Sequence, residues 1–233
     1  MNRYFARGFT LTELAIVLII VALLAGGLVV TLSSQMLLRD TRETDQTLAA
    51  ATEALIGYAA THISATSGKP YLPCPDRDGD GRENRTAGEC DSPEGFFPWA
   101  DMGVGQKDAW NNRLRYRVRT QYASSNTGFT LTLATGVPQV CDSATACTTG
   151  TPIAEDLAAV IASHGQNGYG ATSVSGVAMA APTSADELEN TDGDGSYVSR
   201  TPSPQGANEF DDRVVWLSPY ILFSRMIAAG RLP

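Results

Sequence analysis

Leu14 to Val30 is an unbroken run of seventeen apolar and small residues without a charge or a proline. With Phe9 and Leu11 in front, it approaches the roughly 20 residues that a bilayer core requires. Hydrocarbon forces backbone hydrogen bonds to close within a segment, so the pattern predicts a helix despite its β-branched residues. The leader, Met1 to Gly8, carries Arg3 and Arg7 and no acid, which keeps the N-terminus cytoplasmic and exports the chain beyond about Leu38. Two plainer readings stand beside it. One is a cleaved signal peptide ending near Ala25-Gly26-Gly27, and the other is an ordinary signal-anchor helix.

Helical patterning continues from Leu32 to about Ser64. There Leu37, Leu48, Leu55, Ile56 and Ile63 are separated by alanine, threonine and charged residues, as on an amphipathic helix whose apolar stripe meets a domain. Gly26-Gly27 inside the apolar half either loosens the helix or provides a close-packing surface. A loop-rich stretch then runs from Gly68 to about Asp108. Arg115 to Thr120 and Phe129 to Ala134 read as strands of an antiparallel hairpin, with Ser/Asn/Gly residues between them. Ala158 to Ala162 reads as a strand followed by a tight turn, and Val214 to Leu217 as another strand. Ser218-Pro219 opens a short closing helix, with serine as its cap and proline in its first turn.

One polar residue changes the picture. Glu13 stands at the mouth of the apolar helix, where a charge in hydrocarbon costs several kcal/mol and needs a partner. The plain alternative places Glu13 at the headgroup boundary, paired with nothing. Gly8-Phe9-Thr10-Leu11-Thr12-Glu13-Leu14, followed by Ala15 to Val30, resembles the class III signal of the type IV pilin-like family, which includes type IV pilins and the pseudopilins of type II secretion. The resemblance implies cleavage by a prepilin peptidase between Gly8 and Phe9, methylation of Phe9, and pairing of Glu13 with the Phe9 amino group of a neighbouring subunit during assembly. It implies an α+β fold with a long N-terminal helix, half membrane-spanning and half amphipathic, packed on an antiparallel sheet with loop-rich inserts and a short C-terminal helix. The expected organisation is a leader at 1–8, a transmembrane half at 9–38, an amphipathic half at 39–66 and a globular domain at 67–233. Asp108-Ala-Trp110-Asn111 through Tyr116 is similar to an Asp-x-Trp-Gly-x-x-x-x-Tyr stretch of pseudopilins, with Asn111 in place of the glycine. On that pattern Asp108 caps a turn, and Trp110 and Tyr116 are core anchors.

Charge narrows the partners. Against 25 acidic residues stand 17 basic ones, a formal net charge of -8, so no nucleic-acid partner is expected. The one basic stretch, Arg113 to Arg119, alternates as a strand with one charged face does.

The chemistry-bearing residues are few. Cys74, Cys90, Cys141 and Cys147 allow three disulfide pairings in an oxidising compartment, and nearest-neighbour pairing is the one expected here. Zinc held by these cysteines is the alternative. Asp76-Arg-Asp78-Gly-Asp80-Gly81 has oxygen ligands at alternate positions and glycine at the sixth, like the first half of a calcium loop. Its twelfth position is Ala87, for which Glu83 or Glu89 would have to substitute. Asn190-Thr-Asp192-Gly-Asp194-Gly195 repeats the pattern, with Thr201 twelfth. Calcium at Asp76, Asp78 and Asp80 and at Asn190, Asp192 and Asp194 stands against a reading of both as solvated acidic turns. No cofactor is required.

Ser163-His164 with Asp156 or Asp211 has the residue types of acyl transfer. No nucleophile-elbow glycine pattern surrounds Ser163, so no enzyme is expected. The function implied is a filament subunit, a pseudopilin or minor pilin of a type IV pilus-like fimbrium or of type II protein secretion. A major pilin or a tip adhesion subunit is the alternative. Its partners would be prepilin peptidase, other pilin subunits and the inner-membrane assembly platform. Its place would be the bacterial inner membrane, single-pass, with the domain in the periplasm.

Overall fold

A computed structural model describes residues 9–203, 206 and 208–233, without the side chains of residues 25–33. Gly8, the expected processing site, lies outside the described residues. The elements in chain order are α1 (Leu11–Thr61), β1 (Arg85–Thr86), β2 (Glu89–Cys90), β3 (Glu94–Phe96), α2 (Trp99–Met102), β4 (Arg115–Val118), α3 (Thr120–Ala123), β5 (Gln139–Cys141), α4 (Ala144–Thr149), β6 (Ala159–Ser163), α5 (Ala185–Glu189), β7 (Ser196–Val198), β8 (Arg213–Leu217) and α6 (Pro219–Ala228). The fold is mixed α+β, with open sheets and, after α1, helices of only four to ten residues.

The chain divides into two compact units, Met1–Arg42 and Glu43–Pro233. In the first, the start of α1 is fixed by a reciprocal cap. The Thr10 N–H donates to Glu13 Oε2 at 2.8 Å, and the Thr10 hydroxyl donates to the same oxygen at 2.7 Å. The Glu13 N–H returns a bond to Thr10 Oγ1 at 3.3 Å. This is a capping box built from Thr10-x-x-Glu13. These bonds, the backbone one first, hold the Glu13 carboxyl below its ordinary range, so Glu13 finds a partner inside its own first turn.

The expected membrane half of α1 is corrected. Among the described residues no helix is long and apolar enough to cross a membrane. The pilin-like fold class, with its membrane-spanning helix half, falls with this finding. So does the single-pass inner-membrane location.

In the second unit, β3, β4, β6 and β8 form one antiparallel sheet in that spatial order. Period-two alternation sorts their side chains onto two faces. Leu114, Tyr116, Val118, Ile161 and Leu217 share a buried cluster with Leu48, Leu55 and Ala59 of α1 and with Leu222 and Met226 of α6. On the other face Val160, Ala162 and Val214 meet Val140 and Tyr197, which belong to the parallel pair β5–β7. Arg213 ties β8 to α1 by a two-pronged bond to Asp45, at 2.7–2.9 Å.

The expected hairpin of residues 115–120 with 129–134 does not form. β4 is flanked on both sides by β3 and β6, and the chain after it turns into α3. The Phe129 N–H donates to the Pro70 carbonyl, while its ring packs on Tyr122 and Phe223. The segment is thus recruited by aromatic packing and not by a ladder. Tyr116 is fully buried, but Trp110 is only half-buried and stands outside the main core. Asn111, where the pseudopilin pattern has glycine, takes a left-handed φ of 69°, which asparagine tolerates better than most residues. α6 begins as its Ser-Pro start implies, except that the Ser218 side chain makes no capping bond.

Disulfides join Cys74 to Cys90 and Cys141 to Cys147, and no cysteine is free for zinc. The first ties the loop before the Asp76 segment to β2. The second ties the end of β5 to α4.

Candidate functional site

Two features lie on the β-sheet face away from α1. One is a row of arginines on β4, and the other is a group of buried carboxylates beside it.

Alternation places Arg113, Arg115, Arg117 and Arg119 opposite the buried Leu114, Tyr116 and Val118. Glu94 of β3, directly across the ladder from Arg117, accepts from Arg115 through Oε1 and from Arg117 through Oε2, the latter at 2.6 Å. Both arginines also reach the loop between α5 and β7. Arg115 Nη2 donates to Thr191 O at 3.2 Å, and Arg117 Nη1 donates to Gly193 O at 2.9 Å. Arg119 donates to the carbonyls of Thr135, Gly136 and Leu157. Arg113 lies 5.1 Å over the Phe96 ring and donates to Val174 O, and its Nε is buried without a partner.

The two Asp-Gly repeats converge on this row from either end. A Cβ at Gly79 would fall 1.6 Å from Arg113 Nη1, and one at Gly195 would fall 2.8 Å from Arg117 Nη2. Both glycines have left-handed φ, 82° and 101°. The glycines of the calcium-like pattern therefore admit arginine side chains against the backbone.

A cleft of about 420 Å³ opens among these parts, lined by Arg77, Arg113, Arg115, Arg117, Glu94 and His164 together with neighbouring loop backbone. Four arginines face one glutamate in a chain whose net charge is -8.

The structure brings Asp76, Asp78 and Asp80 together, but both Asp76 oxygens already accept backbone N–H groups, from Gly79 at 2.6 Å and Gly81 at 2.7 Å. Burial, with a smaller contribution from Asp78, raises the Asp76 pKa. The substitutes for a closing ligand are committed elsewhere. Glu83 accepts from Tyr58, Cys74 N and Arg85, and Glu89 accepts from Ser124 and Asn126. In the second repeat, Glu189 lies together with Asp192 and Asp194. The buried Asn190 amide is taken by the Val198 backbone and Asp212.

Sequence reasoning missed the cluster that is most enclosed. Glu187, Asp211 and Asp212 each place one carboxylate oxygen within 4.8 Å of the others, and His164 Nδ1 stands 3.7 Å from Asp212 Oδ1. Burial pushes the Glu187 pKa up to about 7, with Asp212 adding to it, and that of Asp211 up to about 6, with Asp212 and Glu209 adding. The Asp211-Asp212 doublet was the available signal, but Glu187 sits more than twenty positions away and carries no motif.

The acyl-transfer residues do not assemble. Ser163 Oγ donates to Asp108 Oδ2 at 2.7 Å. Asp108 Oδ1 accepts the N–H groups of Trp110 and Asn112, as a turn cap does. His164 faces Asp212, while Asp156 accepts from Gly136 N and lies 3.9 Å from Arg119.

No protein-family model, curated protein or solved structure matches the chain. Taken with the lack of a membrane-length apolar helix among the described residues, this corrects the pilin-type reading. The filament-subunit function, whether pseudopilin, minor pilin, major pilin or tip adhesin, falls with it.

Proposed function

We propose that the second unit is a binding domain, not an enzyme, and that its arginine-lined cleft takes an anionic group such as a phosphate, sulfate or carboxylate. The observation that carries this reading is the excess of arginine over acid at one opening of an otherwise acidic protein. Arginine suits the task because its planar guanidinium presents paired donors to tetrahedral or planar oxyanions. Arg115 and Arg117 are already anchored by Glu94 and loop carbonyls, which fixes their positions. Arg113 and Arg77, which line the cleft outside the Glu94 pairing, remain to meet a ligand. Two disulfides suit such a domain to an oxidising compartment.

A competing reading makes the arginine row a brace, since Arg115, Arg117 and Arg119 each hold a loop carbonyl. Calorimetric titration with inorganic phosphate and with succinate separates the two. The binding reading requires heat of association that weakens with added salt and is lost in Arg113→Gln and Arg77→Gln, with the fold retained. Absence of binding to the unaltered chain, or binding by both variants as tight as that of the unaltered chain, would overturn it.

A further inference from the structure

We infer that Glu187, Asp211, Asp212 and His164 form a divalent metal-ion site in the second unit, distinct from both Asp-Gly repeats. This inference shares only His164 with the cleft of the anion-binding reading, uses none of its arginines, and survives that reading's failure.

The first observation is an asymmetry repeated three times. Each carboxylate has one oxygen held by the protein and one buried with no partner. Glu187 Oε1 accepts from Asn167 Nδ2 at 3.0 Å and from Asp211 N at 3.2 Å, and Oε2 has no partner. Asp211 Oδ2 accepts from Asn167 N at 2.8 Å, and Oδ1 has none. Asp212 Oδ2 accepts from Asn190 Nδ2 at 2.7 Å, and Oδ1 has none. Buried polar atoms are almost always paired, so three orphaned carboxylate oxygens in one cluster require a cause. A cation shared among them supplies one, while the held oxygens act as the outer-shell bonds that orient metal ligands.

The second observation is the imidazole. His164 and Asp212 are nearly inaccessible, at 2% and 3% relative exposure, and His164 Nδ1 is also without a hydrogen bond. Its 3.7 Å separation from Asp212 Oδ1 is too long for a hydrogen bond. Two ligands each about 2.1 Å from one ion lie at most about 4.2 Å apart, so His164 Nδ1 and Asp212 Oδ1 can share an ion, although His164 stands outside the set of three carboxylates that lie within 4.8 Å of one another.

Room is the third. Gly165, at φ 58°, lies so close that a Cβ there would fall 2.2 Å from Asp211 Oδ1. Only glycine leaves this oxygen free on that side.

With the imidazole beside Asp212 drawn in as the ion binds, three carboxylate oxygens and one ring nitrogen favour manganese or zinc over calcium, because imidazole suits first-row metals and calcium prefers an all-oxygen shell. The test uses the 233-residue chain, stripped with chelator and dialysed, then titrated separately with Mn²⁺, Zn²⁺ and Ca²⁺. Thermal unfolding is followed, and bound metal is counted by elemental analysis. The site requires one equivalent of Mn²⁺ or Zn²⁺ with a raised melting temperature. Glu187→Gln and Asp212→Asn should weaken binding by at least about 10-fold, while Asp78→Asn in the other cluster should leave it unchanged. Because a core variant can lose its fold, Mn²⁺ bound to the unaltered chain is also read by electron spin-echo spectroscopy. Nitrogen modulation, lost in His164→Leu, supports the assignment. Failure of the unaltered chain to take up Mn²⁺ or Zn²⁺, absence of nitrogen modulation, or unchanged affinity in well-folded Glu187→Gln and Asp212→Asn would overturn it.

Discussion

Asn190 Nδ2 donates to Asp212 Oδ2 at 2.7 Å across 22 positions of sequence, with both side chains buried. The same amide donates to Val198 O and accepts from Val198 N at 2.7 Å. One side chain therefore fixes the end of α5, the end of β7 and the orientation of a cluster carboxylate. Replacing Asn190 with alanine strands the Val198 N–H and the Asp212 carboxylate in the interior. A stranded buried group costs about 1–3 kcal/mol, so Asn190→Ala should lower the urea midpoint markedly. It should also reduce metal affinity by about 10- to 100-fold, as loss of an outer-shell partner does. Denaturation curves and metal titration on one preparation check both.

Glu187 makes the cluster's electrostatics visible without metal. Asp211, Asp212, Glu209 and Asn167 surround it, with His164 beyond Asp212. Burial, with a smaller effect of Asp212, lifts its pKa from an ordinary 4.5 to about 7. A raised acid pKa means that the folded state binds the proton more tightly than the unfolded chain. The stabilisation is complete below the unfolded value near 4.5 and is lost as pH rises through about 7. Glutamine cannot ionise. In chelator, the melting temperature of Glu187→Gln relative to the unaltered chain should climb between pH 5 and pH 8, and a flat difference would contradict the assignment.

Some of this was legible in the sequence and some was not. Alternation along Arg113–Arg119 announced a strand with one charged face, and β4 has that form, because period-two burial is local. The partner strands were not legible. Phe129–Ala134 has strand-like composition, yet its donors and rings are claimed by Pro70, Tyr122 and Phe223. The apolar run from Leu14 invited a membrane reading, while Thr10-x-x-Glu13 before it is a helix-start signature. The Asp-Gly repeats suggested calcium by spacing alone. Spacing could not show that Gly79 and Gly195 lie against arginines, or that Asn190 is turned inward. The Glu187 cluster escaped because its members come from α5, the turn after β6 and the approach to β8, and meet only through the fold.

The two disulfides should differ in worth. Cys74–Cys90 closes a separation of 16 residues and Cys141–Cys147 one of only 6. Constraint of the unfolded chain grows with loop length, giving about 3 kcal/mol for the longer and about 2 kcal/mol for the shorter. The longer bridge also ties down the loop that leads to the Asp76 turn. The paired substitution of Cys74 and Cys90 by serine should therefore lower stability by more than that of Cys141 and Cys147, measured by guanidinium unfolding. The reverse order would show that local contacts of α4, and not chain entropy, dominate.

Gly79 and Gly193 offer a matched comparison at the cleft. Their φ values are nearly the same, 82° and 80°, so alanine at either carries a similar backbone penalty, about 1–2 kcal/mol for a left-handed residue. Their surroundings differ. A Cβ at Gly79 would fall 1.6 Å from Arg113 Nη1, whereas one at Gly193 meets nothing nearer than Arg115 Nη2 at 3.8 Å. Arg113 ends in a flexible guanidinium, so Gly79→Ala is relieved by swinging that group away from Phe96 and the Val174 carbonyl. The two variants should therefore show comparable loss of stability in thermal melts but unequal binding. Phosphate affinity should fall several-fold in Gly79→Ala and stay near its original value in Gly193→Ala. Equal affinity in both would mean that Arg113 does not meet the ligand, whatever the stability data show.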